Sequence, residues 1–274
     1  MIRLYIFLGL LALFMVWETV FPRRSQGRLL KNRVCNLSLS VLNSLLMSLI
    51  PFSAAAAAVA VETAGAAGTG AGLLLSIKMH NGLRFVLSIV ILDLVIYFQH
   101  LMFHSVPLFW QLHKVHHADS TLNVTSAIRF HPIEIALSLG IKIGTIFMFG
   151  ISADAVILFE LLLNGCAMFN HACIILPSGT DRVLRFFIVT PDMHRIHHSV
   201  RLRETNRNFG FCLSLWDHLF GTYRKDPVQD QTVFKLGISS YRNLEERSLI
   251  KCLLMPFDGK GQAYSIKGIG KQGS

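Results

Sequence analysis

The stretch LRFVLSIVILDLVIYFQHLMFH, from Leu83 to His104, is an apolar run that ends in histidines. It is long enough for a helix to cross the roughly 30 Å hydrocarbon core of a bilayer. Its one acid, Asp93, would be costly in lipid unless it lines a functional site or makes an interhelical hydrogen bond. We therefore predict a membrane helix over Leu83 to Phe103 that delivers His100 and His104 to one side of the membrane.

The composition of the whole chain also favours a membrane setting. Of the 274 residues, 52% are hydrophobic and 15% are charged, whereas a soluble domain carries about 25% charged residues. The formal net charge is +10, but the basic residues are interleaved with apolar runs and form no aromatic-studded stripe, which argues against a nucleic-acid partner. The five cysteines are scattered without a CxxC spacing, so we predict neither a disulfide framework nor a thiolate zinc site.

Further apolar runs bring the predicted number of membrane helices to four or five. Ile2 to Phe21 predicts the first, and no clear A-x-A cleavage site follows it as in a signal peptide. Cys35 to Val61 predicts a second span, kinked at Pro51. Two later runs, Ile133 to Phe149 and Ala153 to Phe169, are separated by three residues that begin with a glycine, which predicts a helical hairpin.

The charge distribution predicts which parts of the chain face the cytoplasm. Pro22 to Arg33 carries five basic residues and no acid, and the chain after His171 carries 15 Lys or Arg against 9 Asp or Glu. Cytoplasmic loops are enriched in Lys and Arg, so we expect both segments on the cytoplasmic side. The Gly- and Ala-rich segment from Glu62 to Gly82 is predicted on the opposite side.

The histidines form a pattern suited to metal binding. Helical residues four apart lie about 40° from each other, and residues three apart about 60°, so each histidine box can point its imidazoles at one centre. A single HxxxH is a weak signal and is often a pair of surface histidines, but several boxes on one face predict a metal site. The boxes are His100-x3-His104, His113-x2-His116-His117 and His194-x2-His197-His198, with His171 alone between the second and third.

The number of boxed histidines predicts two metal ions. One ion takes four to six ligands, and eight boxed histidines exceed that number. Without cysteine ligands, an iron–sulfur cluster or a blue-copper centre is disfavoured, and an all-nitrogen set suits two irons with positions open for O2. Zinc can replace iron on overexpression, because its affinity for nitrogen sites is higher. A non-catalytic membrane protein that binds or transports metal remains the alternative, although its histidines would line a path through the spans.

The boxes belong to a longer series of motifs, which ends with Trp216-Asp217-His218-Leu219-Phe220-Gly221-Thr222. The earlier members are His100-Leu-Met-Phe-His104, His113-Lys-Val-His116-His117, Arg129-Phe-His131-Pro132-x-Glu134, His194-Arg-Ile-His197-His198 and Asn208-Phe209-Gly210. In this order, over roughly Val90 to Tyr223, the chain resembles the fatty acid hydroxylase / sterol desaturase superfamily. The resemblance implies a membrane di-iron enzyme that uses O2 and external electrons to hydroxylate or desaturate a lipid such as a sterol, fatty acyl or alkyl lipid.

The resemblance also implies roles for residues outside the boxes. Related histidine-box oxygenases take a ligand from the region of His171, so this residue joins the eight boxed histidines as a predicted metal ligand. His131, Glu134, Asn208 and Asp217 are predicted to orient the ligands through hydrogen bonds. For His131, a histidine that simply ends a loop at the membrane interface is an equally open interpretation.

The predicted protein is all-α, a multi-pass integral membrane protein whose cytosolic helical cap carries the histidine boxes. We divide it into N-terminal membrane helices and loops (1–82), a fatty acid hydroxylase-like catalytic domain (83–225) and a cytosolic C-terminal extension (226–274). The Gly- and Lys-rich end of that extension, from Gly259, is predicted to be disordered. None of these residues is left to form a fused cytochrome b5 domain, so we expect a separate electron-transfer protein, cytochrome b5-like or ferredoxin-like.

The predicted topology can be tested by labelling. We expect a cysteine placed at Gly70 and one placed at Asp230 to react with a membrane-impermeant maleimide from opposite sides, because only Asp230 lies in the predicted cytoplasmic region. The unsubstituted chain controls for the five native cysteines. Labelling of both positions from the same side would contradict the topology.

Overall fold

The computed structural model describes residues 2–25, 29–67, 72–242 and 248–260. Within these ranges the chain is helical, with isolated β-bridges and no β-strand, as predicted for an all-α protein. Short 3-10 helices lie at Val124–Ile128 and Met255–Phe257. The α-helices are α1 (Ile2–Val20), α2 (Leu29–Ser48), α3 (Ala54–Ala66), α4 (Leu73–Ser76), α5 (Asn81–Ser105), α6 (Pro107–His117), α7 (Pro132–Phe149), α8 (Ala153–His171), α9 (Ser178–Leu184), α10 (Pro191–His197), α11 (Leu202–Thr205), α12 (Leu215–Leu219) and α13 (Leu249–Leu254).

Four of these helices, α1, α5, α7 and α8, are long and apolar enough to cross a membrane. This agrees with the predicted multi-pass membrane protein. The predicted hairpin is α7 and α8, and it turns at Gly150, whose φ of 70° lies in the left-handed region that favours glycine. A Cβ at this position would also come within 2.6 Å of the Leu75 side chain, so the turn has no room for one. Ser152 then caps α8 by accepting a hydrogen bond from the Ala155 amide.

The run from Cys35 to Val61 does not form the single kinked helix that the sequence predicts. α2 ends at Ser48 and α3 begins at Ala54. Pro51 lies in the break, because proline has no amide hydrogen for a helix and restricts the residue before it. Ser53 then starts the new helix, and its hydroxyl accepts a hydrogen bond from the Ala56 amide at 3.1 Å.

The alanine tract allows α3 to pack closely against the hairpin. Ala57 and Ala58 follow Ala54 by three and four residues, which places them on the same side of the helix, and all three are buried. They contact a cluster that includes Val156 and Phe159 of α8. Small residues let helix backbones approach each other in membranes, so α3 completes the apolar end of the bundle away from the histidines.

The other end of the bundle is held together by the buried carboxylate of Glu18, near the end of α1. Its Oε2 accepts hydrogen bonds from the backbone amides of Val124 at 2.9 Å and Cys173 at 3.1 Å, and its Oε1 pairs with Arg33. One side chain therefore joins α1, α2, the 3-10 helix Val124–Ile128 and the chain that follows α8. It fixes the end of the bundle on which the cap is built.

The described parts of the two basic segments meet at this same end. The Arg23 amide donates to the Cys173 carbonyl, and Arg23 also pairs with Asp192. At the opposite end, Gly72 approaches Gly150, so the described part of the segment from Glu62 to Gly82 lies away from the cap. This relative arrangement agrees with the charge pattern; which end faces the cytoplasm stays a prediction.

The C-terminal extension packs back onto the cap. α13 contacts α2, and the buried Lys114 of α6 donates to Asp258 Oδ1 at 3.0 Å and to the carbonyl of Lys260. Gly259 and Lys260, where disorder is predicted to begin, therefore lie against α6. Residues 261–274 of the predicted disordered end lie outside the described residues.

The role of Glu18 can be tested by removing its carboxylate. We expect Glu18→Ala to lower the free energy of unfolding by about 3–5 kcal/mol, because Arg33 and two backbone amides lose their buried partner. Chemical denaturation in mixed micelles would measure the change. The exposed Asp226 provides a matched control, and an equal loss in Asp226→Ala and Glu18→Ala would contradict the assignment.

Candidate metal centre

The structure brings all nine predicted metal-binding histidines together at the cap end of the bundle. Every one of them is buried. They form two clusters, and within each cluster the nearest ring nitrogens all lie within 4.8 Å of one another. Cluster A contains His100, His104, His113, His117 and His197, and cluster B contains His116, His171, His194 and His198.

The second and third boxes each divide between the two clusters. In the second box, His113 and His117 point to cluster A and His116 points to cluster B. In the third box the arrangement is reversed, with His197 in cluster A and its neighbours His194 and His198 in cluster B. Adjacent residues on a helix lie about 100° apart, so two histidines that are neighbours in sequence point in different directions and cannot easily bind the same ion. The expectation that each box serves one centre therefore holds only for the first box.

The spacing of the ring nitrogens suits metal binding. Two imidazole nitrogens bound about 2.1 Å from one ion lie about 3.0 Å apart at a right angle and about 3.4 Å apart in a tetrahedron. The Nε2 atoms of neighbouring histidines fall in this range. The measured pairs are His104–His117 at 3.1 Å, His116–His171 at 3.1 Å, His171–His194 at 3.1 Å and His194–His198 at 3.2 Å.

Several imidazoles are oriented through their other nitrogen. His100 Nδ1 donates to the Phe209 carbonyl at 2.8 Å, His171 Nδ1 to the Ala167 carbonyl at 2.7 Å, and His197 Nδ1 to the Arg207 carbonyl at 2.9 Å. A proton held on Nδ1 leaves the lone pair on Nε2. Within the described residues, the buried Nε2 atoms of His100 and His197 have no hydrogen-bond partner. These atoms are therefore available to a metal ion.

Glu134 holds the fourth oriented imidazole. Its Oε1 lies 2.6 Å from His113 Nδ1. Glu134 lies at the start of α7 and His113 lies within α6, and both side chains are buried. A carboxylate that accepts from a ligating histidine fixes the ring and makes it a better donor to the metal. Glu134 thus has the geometry predicted for a residue that supports the site.

Burial keeps the histidines of the cap in their neutral form. It lowers the pKa of His197 to about 3 and, together with repulsion from neighbouring histidines, lowers the pKa of His116 and His194 well below the usual value. The same causes lower the pKa of His117 and His198. Neutral imidazole is the form that binds metal, so the cap presents its ligands ready for binding at neutral pH.

Asp217 fixes the loop that carries the Phe209 carbonyl. It accepts hydrogen bonds from the amides of Phe209 at 2.7 Å and Gly210 at 2.8 Å and from the Thr222 hydroxyl at 2.6 Å. Burial raises the pKa of Asp217 to about 6. A Cβ at position 210 would lie 2.6 Å from Asp217 Oδ2, which explains the need for glycine there. Asp217 therefore acts on His100 through the backbone.

Asn208 connects the third box to the chain that follows the loop. Its side-chain amide donates to the carbonyls of Met193 in α10 and Arg224, and its oxygen accepts from the Arg224 amide at 2.7 Å. Its φ of 56° lies in the left-handed region, which asparagine tolerates better than most residues. Asn208 thus holds the backbone beside the third box without contacting an imidazole.

His131 lies at the start of α7, and its hydrogen bonds go to the backbone and not to either cluster. Its Nδ1 accepts from the Ile133 amide at 3.2 Å, and its Nε2 donates to the Leu253 carbonyl at 3.3 Å. These are the contacts of a helix cap and of an anchor for the C-terminal segment. His80 and His218 also lie outside the two clusters.

Asp93 has a structural role, rather than lining a cavity or binding a histidine. Its carboxylate accepts hydrogen bonds from the amides of Cys212 at 3.3 Å and Leu213 at 3.2 Å and from the indole of Trp216 at 2.8 Å. It therefore docks the loop after the third box onto α5. The sequence could not identify this partner, since the loop lies about 120 residues further along the chain.

The family model of the fatty acid hydroxylases matches residues 85–222, about half of the chain. The ornithine lipid hydroxylase OlsE of Rhizobium tropici is 27% identical over 181 residues, which are 66% of this chain and 52% of that protein. No solved structure matches significantly.

Alkylglycerol monooxygenases are also similar. The Xenopus tropicalis protein is 30% identical over 141 residues, 51% of this chain and 30% of its own length. The Homo sapiens protein is 29% identical over 131 residues, 47% of this chain and 28% of its own length. The chain thus spans about half the length of OlsE and under a third of these monooxygenases.

The positions of His171 and His131 give different expectations for metal binding. We expect His171→Ala to lower the bound metal as strongly as His116→Ala, because both residues supply nitrogens to cluster B. We expect His131→Ala to retain the metal and to lose about 1 kcal/mol of stability, the usual cost of removing a helix cap. Elemental analysis and denaturation would measure both. Full metal content in His171→Ala, or deep metal loss in His131→Ala, would reverse the two assignments.

Proposed function

Because the chain belongs to the fatty acid hydroxylase family, we propose that it is a membrane-bound, O2-dependent di-iron oxygenase that hydroxylates or desaturates a lipid. Its relatives include an ornithine lipid hydroxylase and alkylglycerol monooxygenases. The observation that supports the proposal most strongly is that cluster A opens onto a cavity between the apolar helices. Such a cavity can admit an alkyl chain from the bilayer.

The cavity has a volume of about 640 Å³ and lies among α1, α2, α5, α7 and α8. His100 and His113 form part of its wall. Near these histidines the wall carries the rings of Phe103, Phe130 and Phe211, together with the polar side chains of Gln99 and Glu134. A volume of this size suits a small lipid or one chain of a larger lipid, and the aromatic rings exclude water from the reacting carbon.

We propose that clusters A and B each hold one iron through the nine histidines. The donor set fits such ions, since it is all imidazole, neutral, and spaced for ligands of one ion. When bound, the iron pair would supply the oxidation of an unactivated C–H bond by O2. The chain itself holds protons on Nδ1 of four histidines through Glu134 and three backbone carbonyls, and the buried site limits access of water.

We propose that the electrons for this reaction come from a separate carrier, cytochrome b5-like or ferredoxin-like. The cap would face the cytoplasm, in line with its excess of Lys and Arg. A metal transport or storage protein is the second candidate. The histidines of a transporter would line a path through the spans, whereas these histidines gather at one end of the helices.

The proposal predicts both a metal content and a lipid product. Purified full-length chain expressed with adequate iron should hold close to two ions and should consume O2 when membrane lipid and a reductant are supplied. Mass spectrometry of the lipid would show one added oxygen for hydroxylation or the loss of two hydrogens for desaturation. We expect His197→Ala to abolish the product and lower the metal content, whereas His218→Ala, outside both clusters, should retain both.

Two outcomes would contradict the proposal. Saturation at one ion per chain would count against the paired centre. Metal uptake into vesicles, without oxidation of any lipid, would support the transport protein instead.

A further inference from the structure

Three charged side chains meet in the cavity away from the histidines. Lys142 of α7 lies 3.0 Å from Glu160 of α8, and Arg3 at the start of α1 contacts the other oxygen of the same carboxylate. All three line the cavity. The side chains of Lys142 and Glu160 are only 13% and 18% exposed, whereas that of Arg3 is 43% exposed. The buried part of this ionic cluster is therefore the pair Lys142 and Glu160, and Arg3 is partly solvated.

The ionic cluster is well separated from the histidines along the helices. Lys142 follows Glu134, the partner of His113, by eight residues, which corresponds to about 12 Å of helix. Glu160 precedes His171 by eleven residues, or about 17 Å. The cavity therefore has one end at His100 and His113, where the only carboxylate among the described lining residues is Glu134 bound to His113, and a second end at the ionic cluster, more than two helical turns away.

The charges of the cluster do not balance. Arg3 and Lys142 provide two positive charges, and Glu160 provides one negative charge. Lys142 is the buried cation of the three, and it shares the carboxylate of Glu160 with Arg3. A buried cation whose partner is shared is costly, and the cost falls when an anion binds beside it. Cations at this depth in membrane proteins commonly mark a substrate pathway. The missing negative charge can come from a ligand in the cavity.

We infer that the end of the cavity at the ionic cluster binds the anionic headgroup of the lipid substrate, a carboxylate or a phosphate, through Lys142 and Arg3. This inference rests on the proposed function and specifies its substrate class. The alkyl chain of the substrate extends from the ionic cluster to His100 and His113. Oxidation therefore occurs about 12–17 Å from the headgroup, in a remote part of the chain and not at the carbon next to it.

Binding of three lipids with the same alkyl chain tests the inference. Purified full-length protein in detergent micelles is titrated with palmitate, hexadecyl phosphate and methyl palmitate, of which the ester has no charge. We expect Lys142→Met to weaken binding of at least one of the two acidic lipids by about tenfold or more and to leave the ester unchanged. Lys251→Met, at an exposed position of α13, is the matched control and should bind all three lipids as the parent does.

A second variant keeps the test decisive if Lys142→Met fails to fold. Glu160→Gln preserves the size of the side chain and removes the internal anion that competes with the ligand, so it should tighten the binding of the acidic lipid. The inference would be overturned if these substitutions changed the binding of the ester more than the binding of the acidic lipids. It would also be overturned if the parent protein bound all three lipids equally. Whether palmitate or hexadecyl phosphate responds identifies the acidic group.

Product analysis separates this inference from the proposed reaction. Iron-loaded protein that oxidises both palmitate and its ester equally, without dependence on Lys142, would refute the headgroup site and leave the oxygenase intact. Binding of an acidic lipid that depends on Lys142, without an oxidised product from any lipid, would refute the oxygenase and leave the binding site intact. Oxidation confined to the carbon beside the carboxylate would also refute the predicted placement of the chain.

Discussion

The burial of nine imidazoles at one end of an apolar bundle is the constraint on which the rest of the structure depends. Each ring carries two nitrogens, and each of them requires a partner once water is excluded. Backbone carbonyls and Glu134 satisfy the outer nitrogens of four rings, while the inner nitrogens face one another at about the separation of ligands on one ion. The spanning helices must therefore end at one level, and the cap must close over them.

Buried carboxylates hold this cap in place through hydrogen bonds to its backbone amides. Glu18, Asp93 and Asp217 each accept hydrogen bonds from the backbone amides of two residues in loops around the site. Asp119 acts in the same way on a smaller scale, since it binds the Thr121 amide together with Asn32 and Asn36 of α2. An acceptor with two oxygens can tie down two amides, so irregular backbone becomes rigid without regular secondary structure.

The sequence was sufficient to predict features with a local signal. The spans α5, α7 and α8 and the turn at Gly150 follow from apolar length and glycine, and the nine histidines follow from their spacing and from a family resemblance. Contacts between distant parts of the chain were not predictable in this way. The division of each HxxHH box depends on how α6 and α10 face each other, and the partners of Glu18, Asp93 and Lys142 lie on other helices or loops. The sequence predicted one kinked helix where the structure has two, α2 and α3. A proline within an apolar run can either kink a helix or end it, and the sequence does not distinguish the two outcomes.

The exchange of histidines between the second and third boxes couples the two clusters mechanically. Each of these boxes supplies imidazoles to both clusters, so a displacement of α6 relative to α10 changes the ligand geometry of both at once. The dependence is unequal. Cluster A keeps four imidazoles from α5 and α6 when the third box moves, whereas cluster B keeps only His116 and His171. Motion of the third box therefore perturbs cluster B more than cluster A.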